Sequence, residues 1–355
     1  MEAGTHLIIA GPRRTGKTSV CEAALTRLEA KGFYVVELDL FRIADAAELA
    51  ETLAVKVMQN RSGAAKVVQK ARTAGRTALT AAQGALALKM QTQLGDGVEL
   101  ALTPGLAYRD PNGALDRALE LPERIAVADR KRLVLFLDEF QEVAGERKPY
   151  GDPDAVAKRM RAIFQRTTSV SYLFAGSIEH VVRDLFAPNQ RAFSGFGSFH
   201  TLSEIPRERW LAGIAERFAA DDCTVDQLAI ERLVDLGDGH PRATMRIAQQ
   251  THLISAQLGT REIGATEVEL GYQTALRGDE PTMEQLVDKI RALHKGALPV
   301  ARALAEDKPL PRHVSPRDRV LKLLRNAGII EKTGYGNWRI INPLFREYLV
   351  RLDAL

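Results

Sequence analysis

The chain has 355 residues, which is enough for two or three domains with sizeable hydrophobic cores. Its net charge of +4 is too small to indicate nucleic-acid binding by itself, and its two cysteines, Cys21 and Cys223, lack the spacing of a zinc site or a disulfide framework. No signal peptide and no apolar stretch of membrane-spanning length is visible, so we expect a cytoplasmic protein without a membrane partner.

The first predicted element is a short strand over residues 7–10, followed directly by Gly-Pro-Arg-Arg-Thr-Gly-Lys-Thr. This is a complete G-x-x-x-x-G-K-[ST] phosphate loop, and a helix is predicted after it to about residue 30. The two glycines allow backbone conformations that turn successive N–H groups onto phosphate oxygens. The residues predicted to bind nucleotide are Gly11, Pro12, Arg13, Arg14, Thr15, Gly16, Lys17, Thr18 and Ser19.

Two side chains of this loop have specific predicted roles. Lys17 can reach the β- and γ-phosphates as a point charge, which gives it a catalytic as well as a binding role. The Thr18 hydroxyl can ligate Mg²⁺ at the start of a helix whose dipole favours negative charge. The alternative, an ordinary turn that contains glycine, is disfavoured because a strand and a helix flank the motif.

The following segments alternate strands with helices, as a parallel α/β sheet requires. Residues 33–39 are predicted to form a strand, after which Asp39 either caps the next turn, the favoured role, or approaches the metal through water. Residues 45–60 are predicted to be helical.

The Ala-rich residues 63–93 predict one or two helices of a solvated insertion rather than a membrane-touching segment. Residues 95–111 are predicted to be irregular, with a short hairpin.

A second motif follows residues 131–137, where two basic residues lead into an apolar run that is typical of a strand buried on both faces. The run ends in Asp138-Glu139, a Walker B pattern. We expect Asp138 to hold the Mg²⁺ shell and Glu139 to polarise the water that attacks the γ-phosphate. The alternative is an acidic pair that caps the following turn, and a small-molecule kinase would not need the glutamate because its acceptor is a substrate hydroxyl.

A helix over residues 152–167 is predicted to lead into another buried strand at 169–175, which ends at Gly176-Ser177. Ser177 is our candidate catalytic sensor of the γ-phosphate or the attacking water. An equally favoured and compatible role is the N-cap of a helix over 178–185. A short strand is predicted at 199–202.

Four helical patterns after Ile205 predict a small all-helical unit, at residues 206–219, 225–236, 241–258 and 265–276. In the turn before the third helix, Pro241 takes the first helical position and Arg242 follows it. An arginine there can swing onto nucleotide phosphates from a lid, although a surface position is the commoner role.

The last segment predicts a winged helix-turn-helix, with helices at 283–305 and 315–327 and a Gly-bearing hairpin over 328–341. Ser315-Pro316 supplies an N-cap and a first-turn proline for the second helix. Val320, Leu323, Leu324 and Ala327 form its predicted core face, whereas Arg319, Lys322 and Asn326 are predicted to face outward.

Basic residues concentrate in this last segment. Eight basic residues stand against two acidic ones between Lys308 and Arg339, which leaves the rest of the chain slightly acidic. Arg319, Lys322 and Asn326 are therefore candidates for contact with DNA phosphates or base edges. A protein partner is the alternative, because winged helices also serve as protein-interaction modules.

On these motifs the chain resembles the archaeal-type ATPases of the STAND group within the AAA+-like P-loop NTPases. The resemblance implies an α/β P-loop NTPase core of the AAA+/ASCE type over 1–205, with a helical insertion at about 60–95. It also implies a helical lid over 206–278, a winged helix over 279–355, and a sensor strand between the phosphate-loop and Walker B strands. The motifs are residues 11–19, Leu-Asp-Glu-Phe-Gln-Glu at 137–142, Phe-Ala-Gly-Ser at 174–177, Gly-His-Pro at 239–241 and Asn-Pro-Leu-Phe at 342–345.

The resemblance implies ATP and Mg²⁺ as cofactors and an ATP-hydrolysing switch that repositions the winged helix toward DNA or a protein partner. It also implies that Pro241 packs near the nucleotide, and it leaves oligomerisation open. One alternative is a DNA-binding replication or transposition helper that uses nucleotide as a structural ligand, and another is an interaction scaffold.

Two departures from the family pattern accompany the resemblance. The adenine-holding segment that members usually carry is not visible ahead of the first strand, which predicts a misassigned start codon or weak nucleotide affinity. A clear arginine finger is also lacking, and the candidates are Arg191, Arg183 and Arg207.

Overall fold

A five-stranded parallel sheet organises the first part of the chain in the computed structural model. The strand order is β2-β3-β4-β1-β5, so β4 lies between β1 and β3. This is the order implied by the family resemblance, and that prediction is confirmed. The strands are β1 (Leu7–Ala10), β2 (Tyr34–Asp39), β3 (Leu133–Asp138), β4 (Val170–Gly176) and β5 (Ser198–Thr201).

The structure describes residues 5–11, 15–61, 81–95, 97–143, 153–176, 186, 192–202, 205–312, 314, 316–334 and 336–352. The chain divides into two compact units. The first ends at Leu202, and the second begins at Ser203 and also includes the loop residues 12–16. None of the described helices combines the length and the apolar character that a membrane crossing requires.

Helices cover both faces of the sheet because the strands alternate their side chains between the two sides. Val134 and Phe136 of β3 pack in one cluster with Cys21 and Leu25 of the first helix. The remaining apolar side chains of β3, those of Leu133, Leu135 and Leu137, join a larger cluster on the opposite face. The described helices of this unit are α1 (Lys17–Ala30), α2 (Ala46–Gln59), α3 (Ala81–Leu94), α4 (Gly97–Leu102), α5 (Pro111–Ala128) and α6 (Pro153–Phe164).

Strand β2 is an edge strand, and two side chains of the α2 region cover its outer backbone groups. The Asn60 side-chain amide accepts a hydrogen bond from Val35 N (3.1 Å) and donates one to Val35 O (3.0 Å). The Lys56 ammonium donates to Glu37 O (2.6 Å). Covering these groups protects the edge against pairing with another strand.

The segment over 95–111 corrects one prediction, because it contains α4 and a 3-10 turn at Leu106–Arg109 instead of a hairpin. Gly97 lies within α4 and serves close helix packing, because a β-carbon there would lie 2.8 Å from the Arg117 carbonyl oxygen. The long helix α5 that follows was not predicted, although Asp110 caps it and Pro111 is its first residue.

The other elements predicted for this unit are confirmed within the described residues. The helices predicted to end near residue 30 and to span 45–60 and 152–167 are α1, α2 and α6. The strands predicted at 33–39, 169–175 and 199–202 are β2, β4 and β5. Within the predicted insertion, α3 is helical and residues 62–80 lie outside the described residues. The helix predicted over 178–185 also lies outside them.

The second unit is mainly helical, and one hydrophobic cluster extends from Trp210 to Leu349. Its strands are β6 (Thr224–Val225) and β7 (Glu262–Ile263), which pair in parallel, and β8 (Ile330–Lys332) and β9 (Trp338–Ile340). Its helices are α7 (Arg207–Ala220), α8 (Gln227–Gly237), α9 (Pro241–Gln257), α10 (Ala265–Leu293), α11 (Ala297–Ala305), α12 (Arg317–Asn326) and α13 (Pro343–Arg351).

Helix α10 corrects a second prediction, because it runs without a break through Gly278 and Pro281, where separate helices were expected. The Arg246 side chain of α9 lies against this stretch, with its Nε 3.3 Å from Asp279 Oδ1. Apolar side chains of α10 on both sides of this stretch are buried in the core of the unit, and this packing, together with the ion pair, outweighs the local helix-breaking tendency of glycine and proline. The expected domain boundary at residue 278 falls inside α10, and the division of this unit into lid and winged helix stays a prediction.

The predicted hairpin after α12 is confirmed, since β8 and β9 pair antiparallel with Ile330 opposite Ile340. Pro316 precedes the first helical residue of α12 instead of lying in its first turn, and Ser315 lies outside the described residues. The core face of α12 also differs in part from the prediction. Leu321 is buried with Val320 and Leu324, whereas Leu323 and Ala327 are only half-buried.

Candidate nucleotide site

The predicted phosphate loop and the predicted Walker B pair lie at the same edge of the sheet. Gly11 directly follows β1, and Asp138 is the last residue of β3. Strands β1, β4 and β3 are parallel neighbours, with Ala10 opposite Gly176 and Leu137 opposite Phe174. Because parallel strands share one carboxyl edge, the two motifs converge there although they are far apart in the sequence.

A direct hydrogen bond joins the two motifs. The Thr18 hydroxyl donates to Asp138 Oδ2 at 2.7 Å, across 120 residues of sequence. The other carboxylate oxygen, Asp138 Oδ1, accepts from the backbone N–H of Glu139 at 2.8 Å. Asp138 is only 9% exposed and Lys17 only 6% exposed. The predicted metal-ligating pair is therefore brought together, next to a buried lysine at the start of α1.

Burial governs the electrostatics of Asp138. Loss of solvent raises the pKa of its carboxyl above the ordinary value, and the carboxylates of Glu139 and Asp39 act in the same direction. The hydrogen bonds from Thr18 and from the Glu139 N–H oppose this rise in the pKa of Asp138. Burial and the charge of Asp138 also raise the pKa of Cys21 to about 12, so this thiol stays protonated near neutral pH.

One glycine of the phosphate loop, Gly16, has the backbone conformation that the motif predicts. Gly16 has a φ of +87°, in the left-handed region that glycine adopts without steric cost. Gly11 is buried, Thr15 is half-buried and Ser19 is exposed. The remaining predicted loop residues, Pro12, Arg13 and Arg14, lie outside the described residues.

Glu139 occupies an unusual backbone position. Its φ of +52° is left-handed, a conformation that costs a residue with a β-carbon about 1 kcal/mol. The chain then enters a 3-10 turn, Phe140–Val143, closed by a hydrogen bond from Glu142 N to Glu139 O at 2.9 Å. Phe140 is fully buried, and the centroid of its ring lies 4.6 Å from the ring centroid of Phe174. The aromatic core thus anchors the residue that follows Glu139.

The two other candidate residues of this unit are Asp39, which the structure describes, and Ser177, which it does not. Asp39 caps the 3-10 turn Leu40–Arg42 by accepting from Phe41 N at 3.1 Å, so the favoured capping role is confirmed. Its carboxylate also pairs with Arg42 at 2.9 Å. Ser177, the candidate sensor, lies outside the described residues, although the strand that precedes it is β4 as expected.

The candidate nucleotide contacts of the second unit begin α9. Pro241 is its first residue and Arg242 is exposed, while the His240 ring caps the helix by accepting from Ala243 N at 3.1 Å. Contact of Pro241 and Arg242 with nucleotide stays a prediction. Among the arginine-finger candidates, Arg207 is paired with Asp235, and Arg183 and Arg191 lie outside the described residues.

The candidate DNA-contacting residues lie on α12. Arg319 and Lys322 are exposed as predicted, and Arg325 is exposed as well. These three residues are called the basic face of α12 below. Asn326 differs from the prediction because it is half-buried, and among the described residues nothing hydrogen-bonds to its buried Oδ1 atom. Arg325 was not among the candidates, although its spacing from Lys322 places it on the same side of a helix.

Gln141 was not among the predicted site residues, although it belongs to the Leu-Asp-Glu-Phe-Gln-Glu motif at 137–142. The side chain of Gln141 is 1% exposed, and its Nε2 donates a hydrogen bond to Glu139 Oε2. The sequence indicates only that an amide side chain stands two residues after the acidic pair. It does not indicate that this amide points back at Glu139.

No protein-family model matches the chain, and no curated protein matches it. Among the solved structures that resemble it over nearly its whole length are the following two. The Walker-type ATPase PABY2304 of Pyrococcus abyssi is 15% identical, with 97% of this chain and 90% of that chain covered and a TM-score of 0.65. The ORC2 protein of Aeropyrum pernix, in its ADPNP-ADP complexes, is 13% identical over 100% of this chain and 91% of that chain, with a TM-score of 0.60.

At such low identity these likenesses show the fold alone. The five-stranded sheet, its strand order and the similarity to these two proteins establish that the chain has the fold of P-loop, AAA+-like ATPases.

Proposed function

We propose that this protein binds ATP with Mg²⁺ at residues 11–19 and hydrolyses it. The observation that carries the proposal is the 2.7 Å hydrogen bond between Thr18 and Asp138, which joins the loop to the end of β3. Walker-type chemistry needs a hydroxyl and a carboxylate at one place, next to a lysine that contacts phosphate. Lys17, Thr18 and Asp138 meet this requirement.

The donor set fits magnesium. Thr18 and Asp138 offer hydroxyl and carboxylate oxygens, which are the ligands that this hard cation prefers. Burial has raised the pKa of Asp138, so a nearby cation would stabilise the charged form of this carboxylate. When bound, Mg²⁺ would supply charge neutralisation for the phosphate oxygens.

The hydrolytic roles follow from position. Lys17 neutralises phosphate charge, and Glu139, next to Asp138 in the chain, orients and polarises the attacking water. Ser177 is proposed as the sensor, since it follows the strand that lies between β1 and β3. The backbone N–H groups of the loop, from Gly11 to Ser19, bind the phosphates.

The proposed output is a conformational switch, as in the STAND group. ATP binding would engage Pro241 and Arg242 at the start of α9, which act as part of a helical lid. The segment from α10 to α13 would form a winged helix that transmits the change to a partner. The α12 helix and the β8–β9 hairpin support this assignment.

One experiment tests the hydrolytic proposal. Purified protein is assayed for phosphate release from ATP with Mg²⁺ and with EDTA, and the same assays are run on Glu139→Gln. The matched control is Glu142→Gln, which makes the same change on a half-buried carboxylate three residues away. We expect Mg²⁺-dependent turnover that Glu139→Gln reduces at least about hundredfold and that the control retains. Turnover that is absent, or indifferent to Glu139→Gln, would refute hydrolysis.

A second candidate function is DNA binding with nucleotide as a structural ligand, and the basic face of α12 favours it. The test is salt-dependent binding to duplex DNA by the double variant Arg319→Glu/Lys322→Glu. Its control is Arg277→Glu/Lys289→Glu, two exposed basic residues of α10. Weaker binding in the first variant alone, with a slope of log Kd against log salt concentration that falls by about two, supports DNA contact. Binding that persists in Lys17→Ala would separate this role from nucleotide.

If neither double variant alters DNA binding, a protein partner becomes the favoured occupant of the winged helix. Co-purification with the Glu139→Gln variant in the presence of ATP would then identify what the nucleotide-bound state retains.

A further inference from the structure

Gln141 is the buried polar residue of the 3-10 turn Phe140–Val143. Its side chain contacts the carboxylate of Glu139. Its amide is almost inaccessible to water at 1% exposure, so its hydrogen-bonding groups must find partners within the protein. One of these partners is Glu139 Oε2, which accepts a hydrogen bond from Nε2.

The local backbone explains how the two side chains meet. The left-handed φ of Glu139 turns the chain away from β3, and the turn closes through the Glu142 N to Glu139 O bond. Phe140 and Val143, on either side of Gln141, are both buried in the large cluster of this unit. The buried neighbours hold the turn in place, and with it the amide that donates to Glu139.

We propose that Gln141 is a positioning residue for Glu139. The inference rests on the proposed hydrolytic function. By holding one oxygen of the carboxylate, Gln141 fixes the plane and direction in which Glu139 meets the attacking water. A half-buried glutamate has several rotamers, and restricting them before the reaction removes an entropic cost from the transition state. Gln141 itself touches neither nucleotide nor water in this role.

The role predicts a specific kinetic pattern. Removing the donor should lower kcat about tenfold to hundredfold, because misplacement of a reacting group by about 1 Å can have effects of this size. The KM for ATP should stay within about twofold, because Lys17 and the loop bind the phosphates. The loss should also disappear when Glu139 has already been changed, since residues that act as a unit are not additive.

The test uses the full-length protein and the variant Gln141→Met, which keeps the length of the side chain and removes the donor. kcat, KM and melting temperature are measured for the parent, for Gln141→Met, for Glu139→Gln and for the double variant. Gln250→Met, which removes a buried amide from α9 in the second unit, is the control for the loss of a buried polar group. If Gln141→Met does not fold, Gln141→Leu, which also removes the donor and adds no charge to this buried position, carries the same expectation.

Each outcome decides the matter. A lower kcat with an unchanged KM, absent in the Glu139→Gln background, supports positioning. An unchanged kcat, or an equal loss in the Glu139→Gln background, overturns it in favour of a structural role. A parent protein without turnover that depends on Glu139 overturns the proposed hydrolysis, and the inference with it. Turnover that depends on Glu139 and ignores Gln141 overturns the inference alone.

Discussion

The phosphate-loop site and the basic face of α12 hold charged side chains in opposite ways. Lys17 and Asp138 are buried, and Asp138 has both oxygens occupied by the Thr18 hydroxyl and the Glu139 N–H. Arg319, Lys322 and Arg325 are exposed on a short helix whose other side is buried.

The difference shows what each site demands of the fold. A buried charge costs free energy unless partners or a ligand compensate it, so the first site must be built from distant segments with fixed geometry. An exposed charge costs little, and a helix with one apolar side is enough to present it. Substitutions should therefore change stability and function together at the first site, and function alone at the second.

The largest expected effect is the loss of turnover in Lys17→Ala. Removing the cation should lower turnover at least about hundredfold, or about 3 kcal/mol, because an electrostatic contact with the phosphates is lost. Phosphate release and thermal stabilisation by ATP with Mg²⁺ measure the effect. Lys31→Ala, an exposed lysine after the end of α1, is the matched control. Equal activity in both variants would remove Lys17 from the site.

The next effect concerns the stability of the ligand-free protein. The pKa of Asp138 is raised in the folded protein, so between the unfolded and folded pKa values the folded state binds more protons. Stability therefore falls as pH rises through that window, which begins near the ordinary carboxyl pKa of about 4. Asp138→Asn lacks this dependence and should be more stable than the parent at pH 7, while losing stabilisation by Mg²⁺ with ATP.

Urea unfolding at pH 4 and pH 7 measures this difference. Asp45→Asn, at the N-cap of α2 and not among the charges that shift Asp138, keeps a capping side chain and is the control. An Asp138→Asn variant that is less stable than the parent at pH 7 would show that the hydrogen bonds to the carboxylate outweigh the cost of burying its charge.

A smaller effect separates backbone strain from catalysis at Glu139. Glu139→Gly and Glu139→Ala both remove the carboxylate, but only glycine adopts a φ of +52° without cost. The glycine variant should be about 1 kcal/mol more stable than the alanine variant, while both lose turnover. At Glu142, within the 3-10 turn, alanine should be the more stable of the two. The same order at both positions would contradict the strain at Glu139.

The smallest effect on stability is expected at the basic face of α12. Arg319→Ala should change the free energy of unfolding by less than about 0.5 kcal/mol, as exposed substitutions usually do. If DNA is the partner, the slope of log Kd against log salt concentration should fall by about one, because one phosphate contact is lost. A clear loss of stability would show that Arg319 has a structural role. It would contradict the expectation that substitutions on the basic face of α12 change function alone.

Much of the site could be predicted from sequence because its motifs are local. Gly11 to Thr18 and Asp138-Glu139 each combine a strand end with fixed residue types, and the rule that parallel strands share one carboxyl edge brings them together. Features that depend on a side chain's direction were not predictable. The amide of Gln141 reaches Glu139 only because of the left-handed turn, and Asn326 is half-buried although its spacing predicted exposure.

The same division applies to the fold. The period of apolar residues determined the strands and most helices, since burial on one or both faces leaves a local pattern. The period of apolar residues did not determine whether a given glycine or proline would break a helix or lie within one. Gly97 packs against the backbone of α5, and α10 continues through Pro281 beside Arg246, because tertiary contacts there outweigh local preference. The sequence by itself determined which residues are candidates for the proposed chemistry, and the tertiary structure decided which of them meet, because a contact across 120 residues leaves no local pattern to read.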